Sequence, residues 1–250
     1  MIGIIIQARI GSTRLPQKMV LPFHKGKGIL ETILIRLRER IPDIPIILAT
    51  TSNSRDDKIE KIALNNSISV FRGSETNVLD RFIKAAKRFK INKIIRICAD
   101  NPFLDINAIK FQISDFKNSN VDYWCYSKNE QTPTIKTHFG FWTEGITLEA
   151  LEKIKSKTNK TVYQEHVTNY VYMHPNSFKI HFEPISLEIE KQASIRLTID
   201  TTNDFETAKE IYAEINRNNI SLCPNQIINF VISNAKWVQS METEILKNTK

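Results

Sequence analysis

Two kinds of apolar segment alternate along the first half of the chain. Short continuous apolar runs are typical of strands buried on both faces of a parallel sheet, and they alternate with segments whose apolar residues recur at the spacing of one helix face. The strand-like runs are Ile2 to Gln7, Ile44 to Ala49, Ser67 to Phe71 and Lys93 to Cys98. This alternation predicts an α/β fold with a doubly wound, mostly parallel sheet and right-handed crossovers.

The helical segments between these runs have recognisable ends. We expect Thr76 and Asp105 to be the N-caps of the third and fourth helices, because Thr and Asp side chains accept hydrogen bonds from free backbone N–H groups. Pro42 marks the end of the first helix.

The second half of the chain is less regular. Its strand-like runs are Val121 to Tyr126, Phe178 to Phe182 and Ser194 to Ile199, and its expected helix starts are at Thr147, Asn203 and Pro224, the last opening a final helix. The segment from Ser127 to Thr137 is polar and unpatterned. Since no repeat or linker divides the sequence, we expect a single domain over residues 1–250 with a small arm or hairpin in its second half.

The loop after the first strand has the composition of a triphosphate site. A triphosphate needs backbone N–H groups and fixed cations around it. The loop supplies close backbone approach, hydroxyl donors and three cations through Gly11, Ser12, Thr13, Arg9, Arg14 and Lys18. Neither a Walker loop nor a GxGxxG motif is present. The structural alternative is a solvated basic loop.

Two aspartates, Asp100 and Asp200, each follow a strand-like run. Magnesium prefers oxygen ligands and is commonly held by one or two carboxylates together with substrate phosphates. Because ligands of open α/β sheets bind at the carboxyl ends of strands, the first loop and Asp100 are expected at one edge of the sheet. The structural alternatives are an Asx-turn at Asp100 and a helix cap at Asp200, but the pair together favours metal binding.

The motif Gln-Ala-Arg-Ile-Gly-Ser-Thr-Arg-Leu-Pro-Gln-Lys at residues 7–18 resembles the signature of the CTP-dependent cytidylyltransferases, which include the CMP-octulosonate and CMP-sialate synthetases. The spore-coat-polysaccharide F-type branch is the more similar one. Further matches follow in order at 71–74, 78–81, 96–102, 165–168 and 196–200. The resemblance implies a Rossmann-like sheet of the nucleotide-diphospho-sugar transferase type and transfer of CMP from CTP with release of pyrophosphate.

The resemblance also implies roles for individual residues. It makes Arg14, Lys18, Asp100 and Asp200 catalytic, with the two aspartates binding Mg2+. The nucleotide-binding residues that it implies, beyond those of the loop, are Ala8, Arg72, Gly73, Ser74, Asp80 and Arg81. For Asp80 and Arg81 the sequence leaves open whether they face the nucleotide or pair with neighbouring side chains.

The acceptor side departs from the family pattern. The residues that we assign to the acceptor are Trp142, Glu144, Glu165, His166 and Arg196. Related enzymes have an Asp-x-Glu-like pair where this chain has Trp142 and Glu144, and an indole cannot mimic a carboxylate. An altered acceptor site with additional cations would suit the branch that activates phosphoglutamine for capsule phosphoramidate synthesis.

Composition limits the kinds of ligand that the protein is expected to bind and the cellular compartment in which it is expected to occur. The formal charge of +8, from 35 Lys+Arg against 27 Asp+Glu, favours polyanionic ligands. The basic residues are dispersed, which argues against a nucleic-acid surface. Three widely spaced cysteines and the lack of a long apolar run predict a cytoplasmic protein that is not attached to a membrane. We expect CTP and a small anionic acceptor as ligands and, from the resemblance, a homodimer with an arm near residues 122–145.

Two other functions are compatible with such a fold. A glycosyltransferase using a finished nucleotide sugar would be expected to have a closely spaced Asp-x-Asp motif, which this sequence lacks. A non-catalytic nucleotide- or RNA-binding module would need aromatic and basic residues interleaved on one face.

Overall fold

A central parallel sheet organises the computed structural model, which describes residues 1–12 and 14–247 and, of Glu130, only the backbone. The first strand, Ile2–Gln7, is almost entirely buried. Its side chains alternate between two hydrophobic clusters: Ile4 and Ile6 belong to one, and Ile5 to the other. A continuous apolar run therefore forms a strand that is covered on both faces.

The strands are β1 (Ile2–Gln7), β2 (Ile46–Thr51), β3 (Ser69–Gly73), β4 (Lys93–Cys98), β5 (Tyr123–Lys128), β6 (Thr132–Pro133), β7 (Glu144–Thr147) and β8 (Ile180–Pro184). The helices are α1 (Ile29–Arg40), α2 (Asp57–Asn65), α3 (Val78–Arg88), α4 (Ile106–Asn118), α5 (Leu148–Lys157), α6 (Thr161–Glu165), α7 (Asn169–Met173), α8 (Leu187–Glu190), α9 (Thr202–Arg217), α10 (Pro224–Ile232) and α11 (Ala235–Lys247).

The strand order is β3-β2-β1-β4-β7-β5-β6, with β8 paired to β5. The pairs β2–β3, β1–β2, β1–β4 and β5–β8 are parallel, whereas β7 is antiparallel to both of its neighbours. Helices α3 and α5 cover one face of the sheet, and α1, α4 and α9 cover the other. The predicted doubly wound, mostly parallel sheet is confirmed.

The strand order reverses beside β1, since β2 lies on one side of it and β4 on the other. Gln7 pairs with Cys98, so these two strands end at the same level. The Ala99 N–H continues the pairing by donating to the Gln7 carbonyl at 3.2 Å. Ligands of such sheets bind at this kind of switch point, and the predicted triphosphate loop and Asp100 both begin there.

The predicted hairpin in the second half is formed by β5 and β6, which are antiparallel. Most of β5 lies inside the sheet, and Tyr123 and Trp124 are fully buried. The part of the proposed arm near residues 122–145 that forms β5 therefore belongs to the core of the domain. Its role in dimerisation remains a prediction for the segment between β5 and β7.

The segment from Ser194 to Ile199 was expected to be a strand, and that expectation is wrong. Its alternate residues Ile195, Leu197 and Ile199 are buried as in a strand. However, the Leu197 N–H donates to the His138 carbonyl at 2.8 Å and the Ile199 N–H to the Asp100 carbonyl at 3.2 Å, so the segment is extended without joining the sheet.

Two expected helix caps are displaced by one or two positions, while those at Asp105 and Thr147 are confirmed. Asn77, rather than Thr76, caps α3 by accepting from the Asp80 N–H. Thr201, rather than Asn203, caps α9 in a reciprocal capping box. The Asn203 amide instead donates to Ser240 at 2.9 Å, across to α11.

Pro224 opens a helix as predicted, but that helix is not the last one. It is followed by α11, whose buried residues Trp237, Met241 and Glu244 are spaced three and four apart. Because this apolar face is narrow and includes a charged residue, the sequence pattern did not reveal it.

Candidate active site

Residues 8–12 and 14–18 belong to a compact loop after β1. The Ile10 carbonyl accepts hydrogen bonds from the Ser12 N–H at 2.7 Å and from the Gln17 N–H at 3.3 Å. Gln17 has a φ of 60°, a left-handed conformation that is uncommon for a residue with a side chain. The loop therefore folds back on itself, with Gly11 and Ser12 half-buried. Thr13, also predicted to bind nucleotide, lies outside the described residues.

A buried carboxylate, which sequence analysis missed, fixes the start of this loop. Asp56 accepts a hydrogen bond from the Ile10 N–H at 2.7 Å. Its other oxygen accepts from Thr50 Oγ1 at 3.1 Å and from both the N–H and the hydroxyl of Thr51 at the end of β2. Because the carboxylate is satisfied by four donors, it ties the loop to the carboxyl edge of the sheet.

Two of the three cations of the loop contact the two predicted metal ligands directly. Lys18 Nζ lies 2.9 Å from Asp100 Oδ2 and donates to the Ile199 carbonyl at 2.6 Å. Arg14 Nη2 lies 2.8 Å from Asp200 Oδ1. The structure thus brings together the loop, the end of β4 and the segment before α9, which are far apart in sequence.

Asp200 is held from its other side by a buried arginine. Arg196 donates hydrogen bonds to the Asp204 carboxylate from Nε at 2.7 Å and from Nη2 at 2.8 Å. Its Nη2 also lies 3.1 Å from Asp200 Oδ2. Its Nη1 donates to His138 Nδ1 at 2.6 Å, so this nitrogen of the imidazole is the acceptor. We assigned Arg196 to the acceptor, but its contacts favour positioning of Asp200.

Asp204 stabilises the same arrangement. Burial tends to raise the pKa of its carboxyl, but hydrogen bonds from Arg196 and from the N–H groups of Asp200 and Thr201 outweigh burial and lower it. Asp204 therefore stays ionised and fixes both the Asp200 backbone and the start of α9.

A cavity of about 540 Å³ opens beside the two aspartates. Asp100 and Asp200 both line it. Within residues 1–12 and 14–247, no three His, Cys, Asp or Glu side chains are close enough together to hold a metal by themselves. The two carboxylates nevertheless fit Mg2+, because this ion prefers oxygen ligands and usually takes its remaining ligands from water and substrate phosphates.

Ala8 and Arg9 follow β1 directly. Ala8 is buried. Arg9 reaches Glu165, at the end of α6, with Nη2 to Oε1 at 3.6 Å. This ion pair links a predicted nucleotide residue to a predicted acceptor residue.

The contacts of Arg72 and Gly73 favour structural roles for both. Arg72 donates to the carbonyls of Thr51 and Asn53 at 2.9 and 2.7 Å and forms ion pairs with Asp57 and Glu60. A Cβ atom on Gly73 would lie 2.9 Å from the Phe71 ring and 3.2 Å from Arg81 Cγ, so a glycine is required for packing. A role of these residues at the nucleotide remains a prediction.

The sequence left the orientations of Asp80 and Arg81 open, and the structure distinguishes them. Asp80 pairs with Lys84 and Lys155, each at 2.7 Å. Arg81 is fully buried and donates to the Ser74 carbonyl, and burial followed by the charge of Arg9 lowers its pKa to about 10. Arg81 therefore lies beneath the turn at Ser74, behind the predicted nucleotide site.

Of the predicted acceptor residues, Trp142 and His166 line the cavity. Glu144 lies below it, paired with Arg96 and hydrogen-bonded to Tyr123 and to Thr168 Oγ1 at 3.1 Å. Burial followed by the negative charges of neighbouring groups, including Glu144, raises the pKa of Tyr123. Glu144 thus supports the floor of the cavity and does not line it.

Sequence analysis missed several residues of the cavity wall. Lys136 lies in the segment that was dismissed as polar and unpatterned, yet it lines the cavity with its Nζ 5.3 Å from the centre of the Tyr172 ring. Asn101 and Thr198 also line it, one residue after Asp100 and two before Asp200. The proximity of both to the aspartates in sequence was the available signal.

Comparison with known proteins identifies the family. The model of the cytidylyltransferase family matches residues 3–230. The chain belongs to the cytidylyltransferase family. The spore coat polysaccharide biosynthesis protein SpsF of Bacillus subtilis (strain 168) is 33% identical over 83% of this chain and 85% of that protein.

Two solved structures are similar over nearly the whole cytidylyltransferase chain. A cytidylyltransferase from Leptospira borgpetersenii serovar Hardjo-bovis (strain JB197) has a TM-score of 0.83 and 32% identity, covering 95% of this chain and 96% of that one. A CMP-2-keto-3-deoxy-manno-octonic acid synthetase complexed with CTP has a TM-score of 0.64 at 12% identity, covering 85% and 98%, which supports the fold.

The predicted enzyme class is confirmed: the chain is a CTP-dependent nucleotidyltransferase. In the part of the chain that the structure describes, no helix combines the length and apolar character needed to cross a membrane.

Proposed function

We propose that this cytidylyltransferase transfers CMP from CTP to a small anionic acceptor, with Mg2+ as its metal, and releases pyrophosphate. The contacts of Lys18 with Asp100 and of Arg14 with Asp200 are the observation that carries the proposal. These contacts bring two cations and two carboxylates together at one edge of the sheet, which supports binding of a triphosphate and a metal there.

The cations and carboxylates exchange partners when substrate binds. Without a triphosphate, Arg14 and Lys18 neutralise Asp100 and Asp200. Triphosphate oxygens compete for the two cations, and Asp100 and Asp200 would then hold the metal, which would neutralise charge at the phosphates. Arg14, whose side chain is 56% exposed, is placed to move, whereas Lys18 is 10% exposed and is also held by the Ile199 carbonyl.

The transfer step is a substitution at the α-phosphorus. An acceptor oxygen forms a new P–O bond, and the bond to the pyrophosphate oxygen breaks with its electron pair leaving on pyrophosphate. Arg14 and Lys18 stabilise the charge that develops on the phosphate oxygens. A phosphate or carboxylate acceptor is already ionised and needs no general base.

The acceptor is an acidic 2-keto sugar or a phosphorylated small molecule such as phosphoglutamine, for surface polysaccharide or capsule synthesis. The name of the Bacillus subtilis relative supports the polysaccharide context. Lys136 and His166 at the cavity wall support an anionic acceptor. We further propose that the enzyme is a cytoplasmic homodimer.

The test is pyrophosphate release with Mg2+ and each nucleoside triphosphate, against pools of acidic 2-keto sugars and of phosphorylated amino acids. We expect release with CTP alone and with some pools only. Release with UTP or ATP at the rate of CTP, or CTP hydrolysis that is independent of acceptor, would contradict the proposal.

A further inference from the structure

An arginine on α1 holds the chain that follows Asp100. The Asp100 turn, residues 100–105, runs from the end of β4 to the start of α4. Arg36 donates from Nη1 to the Pro102 carbonyl at 2.6 Å and from Nη2 to the Leu104 carbonyl at 2.9 Å. Because both nitrogens belong to one planar guanidinium, this contact fixes the two carbonyls relative to each other.

Backbone hydrogen bonds fix the two ends of the Asp100 turn. The Asp100 carbonyl accepts from the Ile199 N–H at 3.2 Å, and the Asp105 N–H donates to the Phe141 carbonyl at 2.9 Å. Between these ends, the hydrogen bonds from Arg36 connect the turn to α1. The position of Asp100 therefore depends on a side chain that is far from it in sequence.

Arg36 forms a strong contact with the turn because it is a cation that is largely withdrawn from water. Burial lowers the pKa of Arg36, and the neighbouring Tyr212 hydroxyl and Asp105 oppose this shift. An arginine nevertheless remains charged in a protein. Hydrogen bonds from an ionised donor are stronger than those between neutral groups, so Arg36 is expected to hold both carbonyls firmly.

The same helix also contacts the segment that carries Lys18. The Leu30 N–H, in the first turn of α1, donates to the Met19 carbonyl at 3.2 Å. A Cβ atom on Gly28, the N-cap of α1, would overlap with the same carbonyl oxygen, so this close approach requires glycine. Helix α1 therefore holds the residue after Lys18 at its start and the Asp100 turn further along.

These contacts are separate from the ion pair between Lys18 and Asp100. In the proposed function, the triphosphate takes Lys18 away from Asp100, so the ion pair can no longer hold the turn. Arg36 binds backbone carbonyls and not the side chains that exchange partners. Its contacts can therefore persist in the substrate complex.

We propose that Arg36 is a positioning residue of the transfer reaction, which keeps the Asp100 carboxylate in place to bind the metal after Lys18 has moved to the triphosphate. This inference rests on the proposed function. Arg36 acts through the Asp100 turn and not on the reacting atoms.

The first test is the kinetics of Arg36→Lys. This variant keeps the charge but replaces the planar fork by one ammonium group, which cannot hold both carbonyls in the same geometry. We expect kcat to fall about 10- to 100-fold and the Mg2+ concentration for half-maximal rate to rise about ten-fold, the usual range for groups that orient metal ligands. The KM for CTP should change by less than about two-fold, because Arg14 and Lys18 remain.

The second test measures metal binding without turnover. Mn2+, which also prefers carboxylate and water ligands, serves as a paramagnetic probe that is followed by EPR. The protein is saturated with a CTP analogue that has a methylene bridge between the α- and β-phosphorus. We expect Mn2+ affinity to fall about ten-fold in Arg36→Lys. Tyr212→Phe, which removes the hydroxyl beside the guanidinium, should lower it in the same direction by a smaller factor.

Two control variants separate positioning from stability. Arg40→Lys makes the same change one helix turn later, at an exposed residue of α1. Ile33→Val removes a buried methyl group of α1 and weakens its packing, which urea unfolding measures. Neither control should change kcat or Mn2+ affinity by more than about two-fold.

Wild-type kcat and Mn2+ affinity in both Arg36→Lys and Tyr212→Phe would overturn the inference, as would an equal loss of Mn2+ affinity in Ile33→Val. If the wild type bound no Mn2+ with the analogue, the metal site and the inference would both fail. Absence of pyrophosphate release from the wild type, with Mn2+ affinity still reduced in Arg36→Lys, would reject the transfer reaction and keep the role of Arg36 at the metal. Release by the wild type together with an unaffected Arg36→Lys would reject only the positioning role.

Discussion

Arg14 and Lys18 each bind an aspartate, but they differ in burial. We therefore expect Arg14 to affect CTP binding alone, and Lys18 to affect the stability of the fold as well. The Arg14 side chain is 56% exposed and has one carboxylate partner. Lys18 is nearly buried between Asp100 and the Ile199 carbonyl. Removing Arg14 therefore leaves a solvated site, whereas removing Lys18 takes a charged donor away from the buried side of the site, where it binds the Ile199 carbonyl.

We expect Arg14→Ala to raise the KM for CTP about ten-fold while changing the free energy of unfolding by less than about 0.5 kcal/mol. Lys18→Met should slow transfer and also cost about 2 kcal/mol of stability, because a buried charged hydrogen bond is lost. Steady-state kinetics and urea unfolding measure the two effects. Lys191→Met, at an exposed site, is the control. Equal destabilisation by both variants would contradict the distinction.

The two aspartates should be needed for transfer more than for nucleotide binding. In Asp100→Asn and Asp200→Asn, an amide oxygen replaces the anionic metal ligand, so we expect kcat to fall by about two to three orders of magnitude. CTP affinity, measured by calorimetry, should change much less, because Arg14 and Lys18 remain. Asp43→Asn, at an exposed position, is the control. A near-normal rate in Mg2+ for Asp100→Asn would make the metal assignment wrong.

At the scale of elements, the start of α9 contributes both to the stability of the fold and to the geometry of the site. Asp204 closes the capping box with Thr201, binds Arg196 through two hydrogen bonds and accepts from the Asp200 N–H. The lowered pKa of Asp204 means that these contacts favour its ionised form. Folding therefore gains stability from them above the unfolded-state pKa of about 3.9, and loses it as the pH falls toward the folded-state value.

Asp204→Asn should lower the free energy of unfolding by about 3 kcal/mol near neutral pH, because it leaves the buried Arg196 with Asp200 as its one remaining carboxylate partner among the described residues. The difference between wild type and variant should begin to shrink below about pH 4, where Asp204 of the unfolded chain becomes protonated, and it should keep shrinking until the folded-state pKa is passed. Urea unfolding across this pH range measures it. A difference that stays constant down to about pH 2 would show that Asp204 does not titrate in this window.

The sequence predicted those elements that are determined by residues close together in the chain. β1, its loop and the Asp105 cap follow from apolar runs and capping chemistry. The pairing of loop cations with Asp100 and Asp200 followed in part, because strand ends meet at one edge. The Asp56 anchor did not, since its partner Ile10 is 46 residues away and nothing local marks a carboxylate for a distant N–H. For the same reason the segment before Asp200 was mistaken for a strand.

At the scale of the molecule, three segments distant in sequence meet at the site. The loop at 8–18 joins the end of β4 through Lys18 and the start of α9 through Arg14. These contacts connect the N-terminal parallel strands with α9 and with α11, which packs on α9. A ligand that bridges the same segments should therefore stabilise the whole fold and not only the loop.

At about one hundred times its Kd, CTP with Mg2+ should add about 2.7 kcal/mol to the stability of the folded state. For a chain of this size, we expect this to raise the melting temperature by roughly 5–10 °C. CTP with EDTA should give a smaller shift, since Asp100 and Asp200 then keep competing for Lys18 and Arg14. UTP should give less than CTP if the site distinguishes the bases. The Asp100→Asn variant is the internal control: without its metal ligand, the difference between Mg2+ and EDTA should largely disappear. Equal shifts with Mg2+ and with EDTA in the wild type would instead show that the carboxylates do not bind a metal together with the triphosphate, and that the two ion pairs persist in the complex.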